Sequence, residues 1–468
     1  MSVAAVVRQV AFVLQVLSAL VAVPVAAFAQ GAPLRGSPGV GDAIYPLAGN
    51  GGYAVDRYDV ALTWAPATGT VDGDIAIHMT VTEPLSAFNL DYSGPEIAAV
   101  TVAGHPAEWT REDRELKVNV PAGGNLRIGE AVEVRVVYRG VPATLTHPVL
   151  GEIGWLTLPD GAISASMPDA ARAWLPVNGH PSDRAVFAFR LTVPEGYTAV
   201  ASGTPGEVEA RNGSRIFTYE TADQIRPAAA FVAFGHMRAT ELTGPGDSLL
   251  RIWVDEALPD GAEDRLQVLG DMISDLATRF GPYPFEETTV LVVNSDLAGA
   301  LDAQIAPTFS PATMDDDAVL AHAIARQWWG NAVSPESWAD LWLQEGLATY
   351  AEVLWVESQQ GPAAAEALLQ DWAETVRHHD DTQPAEADRP AMLFERTTGQ
   401  RGALAADALR RSLGDGPFFR VLQAFAERFG NDVASVQSFI AVAEELSGSQ
   451  LDQWQADWLS TAVQPVQP

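Results

Sequence analysis

Cysteine is absent from all 468 residues. Disulfides and a lipid-modified cysteine are therefore excluded, and the core alone has to hold the fold. Basic residues are scarce: 28 Lys and Arg stand against 60 Asp and Glu, a net charge of −32, with Lys117 the single lysine. Nucleic acid and anionic membrane surfaces need a basic footprint, so both are disfavoured as partners. The acid surplus reads as solubility or adaptation to a salty milieu. Charge is also modest overall, 19% against 47% hydrophobic residues, which is the balance of a globular chain. Its length suffices for two or three domains with real cores. Long apolar runs are missing except at the start, and tyrosine is missing after Tyr350.

The one long apolar run is VAFVLQVLSALVAVPVAAFA, residues 10–29, preceded by Arg8 and ending in Ala27-Phe28-Ala29. Charged start, apolar middle and small-x-small end make residues 1–29 a secretory signal peptide, so export to the cell envelope or beyond is expected. An uncleaved anchor is the alternative, against which Pro24 and the cleavage triplet argue. Residues 30–43 are rich in Gly and Pro and read as a linker.

Over residues 44–240 short alternating runs such as YDVALTW, DIAIHMTVT and AVEVRVVYR are punctuated by NGG, AGG and PEG turns. This predicts an antiparallel β domain. Over 241–468 the texture changes. GAEDRLQVLGDMISDLATRFG has helical periodicity, ETTVLVVNSD is a buried strand, and most of the rest is helical. Helices are predicted within MDDDAVLAHAIARQWWGN and behind Pro335, and over 363–377, 400–413, 416–429 and 433–446. Asp315, Asp316 and Asp317 read as a helix cap.

In AHAIARQWWGN, His322 and Arg326 are four apart and share one helix face. That helix is apolar nearly all round and hence buried, and a buried guanidinium needs an anion. Glu345 follows Arg326 after eighteen residues. An Arg326–Glu345 ion pair is therefore expected, the alternative being that Arg326 reaches solvent through a cleft. His378, His379, Asp380 and Asp381 could bind a metal but read as a solvated loop. His105, His147 and His180 are not expected to be ligands.

The segment AHAIARQWWGNAVSPESWADLWLQEGLATYAE resembles the zinc-binding segment of the aminopeptidase N-like family of metallopeptidases (gluzincins). There His-Glu-x-x-His is followed by Gln-Trp-Phe-Gly-Asn and, after 18 residues, by a glutamate ligand. SDLAGALDAQIAPTFS is similar to the family's Gly-x-Met-Glu-Asn substrate loop. YPLAGNGGYAVDRYDVALTW and PDAARAWLPVNGHPSDRAVF resemble segments of its short secreted bacterial members. The resemblance implies an α+β architecture, an antiparallel β saddle domain leading into a thermolysin-like, mostly helical domain.

Carried over position by position, the resemblance places the first and third zinc ligands on His322 and Glu345, and the second on Arg326. The general base falls on Ala323 and the transition-state tyrosine on Gly399. The substrate loop falls on Gly299, Ala300 and Asp302, with Ala303 at its asparagine and Met167 at a second amine-binding position. Asp302 is the expected contact for a peptide amine. The leading expectation is an exported, catalytically inactive pseudo-peptidase that holds no metal and uses its cleft for a peptide or protein partner. An active zinc-dependent aminopeptidase with a non-standard metal site is the alternative; a different hydrolytic chemistry finds no nucleophile to support it.

Overall fold

The computed structural model describes residues 34–121, 124–244, 249–297, 299–378 and 390–460. The signal-peptide segment and the His379-Asp380-Asp381 run lie outside the described residues.

Alternation decides the first half. In Tyr53–Ala65 the residues Tyr58, Val60, Leu62 and Trp64 are buried, while their neighbours face outward. This strand pairs antiparallel with Thr70–Val81 through a short turn and parallel with Val186–Pro194. Around them grows a nine-stranded sheet that also takes in Ala131–Gly140, Glu96–Val102 and Ser214–Glu220. A four-stranded sheet, including Leu85–Asp91 and Glu115–Asn119, and a five-stranded sheet, including Gly151–Leu158 and Gly161–Ala165, complete this β domain. One apolar core, with Ile75, Val134, Trp155, Phe187 and Phe234 among its members, joins the three sheets.

The expected linker is not one where it is described. Leu34–Arg35 pairs parallel with Leu85–Asp91. Asp42 accepts hydrogen bonds from the backbone N–H of Ile44, Tyr45 and Trp338 at 2.8, 2.8 and 3.0 Å. Gly and Pro there shape packed turns rather than a spacer. The boundary expected at 240/241 also moves. Met237–Thr243 pairs antiparallel with Leu249–Asp255, which runs parallel to Glu287–Val292 and so belongs to a separate sheet in the second half of the chain. Alternation alone carries no mark of which sheet a strand joins.

In the second half a four-stranded sheet is flanked by helices. Helix α1 (Val268–Phe280) makes the crossover between the parallel strands Leu249–Asp255 and Glu287–Val292. Helix α2 (Asp317–Ala325) starts at Asp316, whose carboxylate accepts from the Ala318 N–H at 2.9 Å. It ends one residue before Arg326, earlier than predicted. Trp328 and Trp329 turn inward onto Phe280, and Gly330 at φ +110° reverses the chain, so the helix cannot run on. Helix α3 (Trp342–Gln360) follows a 3₁₀ turn whose Ser337 and Asp340 form a capping box.

Helices α4 (Pro362–Arg377), α5 (Arg396–Leu413), α6 (Asp415–Phe429) and α7 (Val436–Ser447) follow, and a short helical stretch from Asp452 to Ser460 ends the described part. α5 begins four residues before the predicted start. No helix among the described residues is long and apolar enough to cross a membrane.

Candidate functional site

A cleft of about 710 Å³ lies between the β domain and the helices. Leu156 and Met167 line it from the β domain, and Val319, His322, Arg326 and Glu345 from the helical side. Each polar group in its floor has a definite source. α2 presents His322, and Arg326 sits at its C-cap. α3 presents Glu345, Thr349 and Glu352, spaced i, i+4, i+7 and so on one face. Asp302 comes from the loop before Thr308–Phe309, and Arg396 from the first turn of α5.

These groups form a ladder of alternating charge. Arg226, from the β domain, reaches Asp302 Oδ2 at 3.2 Å and donates to Gln344 Oε1 at 2.5 Å. Arg326 donates one Nη to Asp302 and the other to Glu345. His322 lies 3.6 Å from Glu345 through Nε2 and 3.2 Å from Glu352 through Nδ1. Arg396 closes the series, gripping both oxygens of Glu352 at 2.7 and 2.5 Å. The expected Arg326–Glu345 ion pair is present, and the solvent-directed alternative is not: the Arg326 side chain is 5% exposed.

The electrostatics follow from this alternation. Burial works against the charged form of Glu345, but the Arg326 guanidinium, His322 and the hydrogen bond from Gln344 together outweigh it and hold the carboxyl well below the usual range. Burial likewise opposes ionisation of Glu352, and Arg396 and His322, by hydrogen bond and by charge, together turn the balance downward. His322 is disfavoured as a cation by burial, yet hydrogen bonds to Glu345 and Glu352 push it up to about 8. Fully buried Arg226 is brought down to about 9 by desolvation, against the pull of Asp302.

The remaining predicted positions are placed as follows. Gly299, Ala300 and Asp302 line the cleft together. Asp302 is not free for an amine, however. Its Oδ2 serves Arg226 and Arg326, and its Oδ1 accepts from Asn331 Nδ2 at 3.1 Å. Ala323 and Gly399 also face the cleft. A Cβ on Gly399 would lie 2.6 Å from Thr349 Oγ1, so the groove between α3 and α5 is closed to a side chain there unless Thr349 moves.

His147 and His180 are fixed elsewhere, the former accepting from Leu150 N–H at 3.1 Å and the latter near Asp42 at 3.3 Å. His105 is exposed in a two-residue strand. Among the described residues no three His, Cys, Asp or Glu are arranged to hold a metal ion.

Sequence reasoning missed Arg226, Gln344, Glu352 and Arg396. Glu352 had a signal, since it lies seven residues after Glu345 on the same face of a largely apolar helix. Arg226 had none, because it arrives from another domain.

A β domain joined to a helical domain, with a charged cleft between them beneath α2 and α3, is the architecture of a two-domain metallopeptidase. The chain belongs to peptidase family M1, the aminopeptidase N-like gluzincins, and residues 270–458 match the family's domain. A mutant of an M1 zinc metallopeptidase from Deinococcus radiodurans, solved with a Tyr-Ser-Ala substrate, is 31% identical with a TM-score of 0.83. That match covers 92% of this chain and 99% of that one. Aminopeptidase N of Streptomyces lividans is 25% identical over 444 residues, 87% of this chain and 50% of its own. Leucyl aminopeptidase of Saccharolobus solfataricus is 23% identical over 438 residues, covering 88% of this chain and 54% of that protein. The chain thus spans about half the length of the curated relatives it matches.

Proposed function

We propose that this chain is an exported, non-hydrolysing member of the family, a pseudo-peptidase whose cleft binds peptides or a protein partner. The observation that carries this reading is Arg326, wedged between Glu345 and Asp302. Zinc is the group the family implies in this place, and the residues here do not fit it. A guanidinium has no lone pair to give and does not deprotonate in a protein. His322 and Glu345 leave two protein ligands where catalytic zinc sites use three and a water. Ala323 offers no base for such a water, and Gly399 offers no hydroxyl to a tetrahedral intermediate. With metal, base and oxyanion donor all wanting, no hydrolytic step can be written.

What supports binding is the cleft itself, large enough for a few residues of peptide and walled by apolar side chains. Support for export comes from the N-terminal signal-like segment of the sequence. The second reading, an active zinc-dependent aminopeptidase with a non-standard site, draws on the retained His322 and Glu345 and on the names of the relatives. Metal analysis of purified protein, paired with aminoacyl-substrate hydrolysis, separates the two. The proposal expects substoichiometric zinc and no chelator-sensitive turnover. One zinc per chain with hydrolysis abolished by a chelator would replace it with the second reading.

A further inference from the structure

We infer that the guanidinium of Arg326 takes over the charge of the metal ion, so that the cleft is assembled around a cation belonging to the chain itself. This rests on the non-hydrolysing reading above and deepens it. Glu345 on α3 and Asp302 in the loop before Thr308–Phe309 come from separate segments, and their side chains are 15% and 14% exposed. Two carboxylates brought this close together out of water need a positive charge between them. Arg326 supplies it, with one Nη on each acid and its own side chain 5% exposed. The next cation toward Glu345 is His322 at 3.6 Å, and toward Asp302 it is Arg226 at 3.2 Å. The alternating row from Arg226 to Arg396 is therefore complete without an added ion.

Two consequences follow. The assembly is indifferent to chelators, because its cation is covalently part of the chain. The same side chain also withdraws Asp302 from recognition of a peptide amine, so one residue occupies both halves of the family's site.

Thermal unfolding of the full chain with zinc or with a chelator tests this. The wild type should melt at the same temperature in both. Arg326→Met keeps length but removes charge, and should lower the midpoint by at least about 5 °C, as expected for one partner stripped from a buried pair. Arg326→His should be destabilised in chelator, regain at least about half of the loss with zinc, and take up about one zinc per chain by metal analysis. If these variants do not fold, Arg326→Lys, which keeps a cation, must fold and melt near the wild type. Zinc binding by the wild type at one per chain would overturn this inference, and chelator-sensitive hydrolysis alongside it would overturn the proposed function as well. An Arg326→Met protein as stable as the wild type, an Arg326→His protein blind to zinc, or an unfolded Arg326→Lys protein would overturn the inference alone.

Discussion

A carboxylate buried beside an arginine and one buried without a cation respond to pH in opposite senses, and this chain contains both. Glu345 is the first kind. Asp183, in the β domain, is the second: it accepts from the Val55 N–H at 3.1 Å, and burial pushes its carboxyl up to about 7 from 3.8. Between those values the native chain keeps the proton that the unfolded chain releases. Stability from this group is thus fully present below about pH 4 and is lost as pH rises toward 7. Asp183→Asn keeps an acceptor for Val55 and cannot ionise. The stability of Asp183→Asn relative to the wild type should grow by about 1.4 kcal/mol per pH unit between roughly pH 4 and 7, and level off above. Urea unfolding at a series of pH values measures this; a flat difference would mean that Asp183 is ionised throughout.

At the scale of elements, the crossing of α3 and α5 fixes the cleft's back wall. Gly346 and Gly402 meet there. A Cβ on Gly402 would lie 2.6 Å from the Gly346 Cα, and one on Gly346 3.0 Å from the Gly402 Cα. Backbone atoms cannot swing aside as a side chain can, so the helices would have to part. Gly402→Ala should therefore destabilise the chain by about 1–3 kcal/mol despite the better helix propensity of alanine. It should also loosen the Arg396–Glu352 contact that α5 positions. Denaturant unfolding reads the first effect, and an unchanged or raised midpoint would show that the crossing has slack.

The helices themselves were legible in the sequence, because apolar periodicity and caps such as Asp316 are local. The Arg326–Glu345 pair was legible too, since a buried guanidinium must find an anion. Arg226 and Arg396 were not, because their meeting with Asp302 and Glu352 depends on how distant segments pack. The stop of α2 at Ala325 was also missed; it depends on where Trp328 and Trp329 find aromatic partners.

For the whole molecule, the decisive surface is the seam between the two domains, because the cleft exists only while they stay docked. Apolar contacts supply part of it: Tyr45, Met167 and Ala228 of the first half share a cluster with Trp338, Leu341 and Met392 of the second. Arg184 supplies the polar part. From the β domain its Nη1 lies 2.6 Å from Ser334 Oγ, 3.1 Å from the Asp432 carbonyl and 3.3 Å from the Ala332 carbonyl. Its Nε donates to the Gln224 carbonyl at 3.1 Å. Burial brings this guanidinium down to about 10, with the charge of Asp432 opposing, so its place rests on hydrogen bonds to oxygens of both domains.

Arg184→Met fills similar space but leaves those carbonyls without a donor, at a cost of about 1–3 kcal/mol. The loss falls on the contact between domains rather than inside either core. Calorimetry should then resolve two transitions, or a broadened one, where the wild type gives a single peak, and the low-temperature component should carry the loss of the cleft. A variant that melts in one sharp transition, shifted as a whole, would place the cohesion of the two domains in the apolar cluster around Trp338 instead.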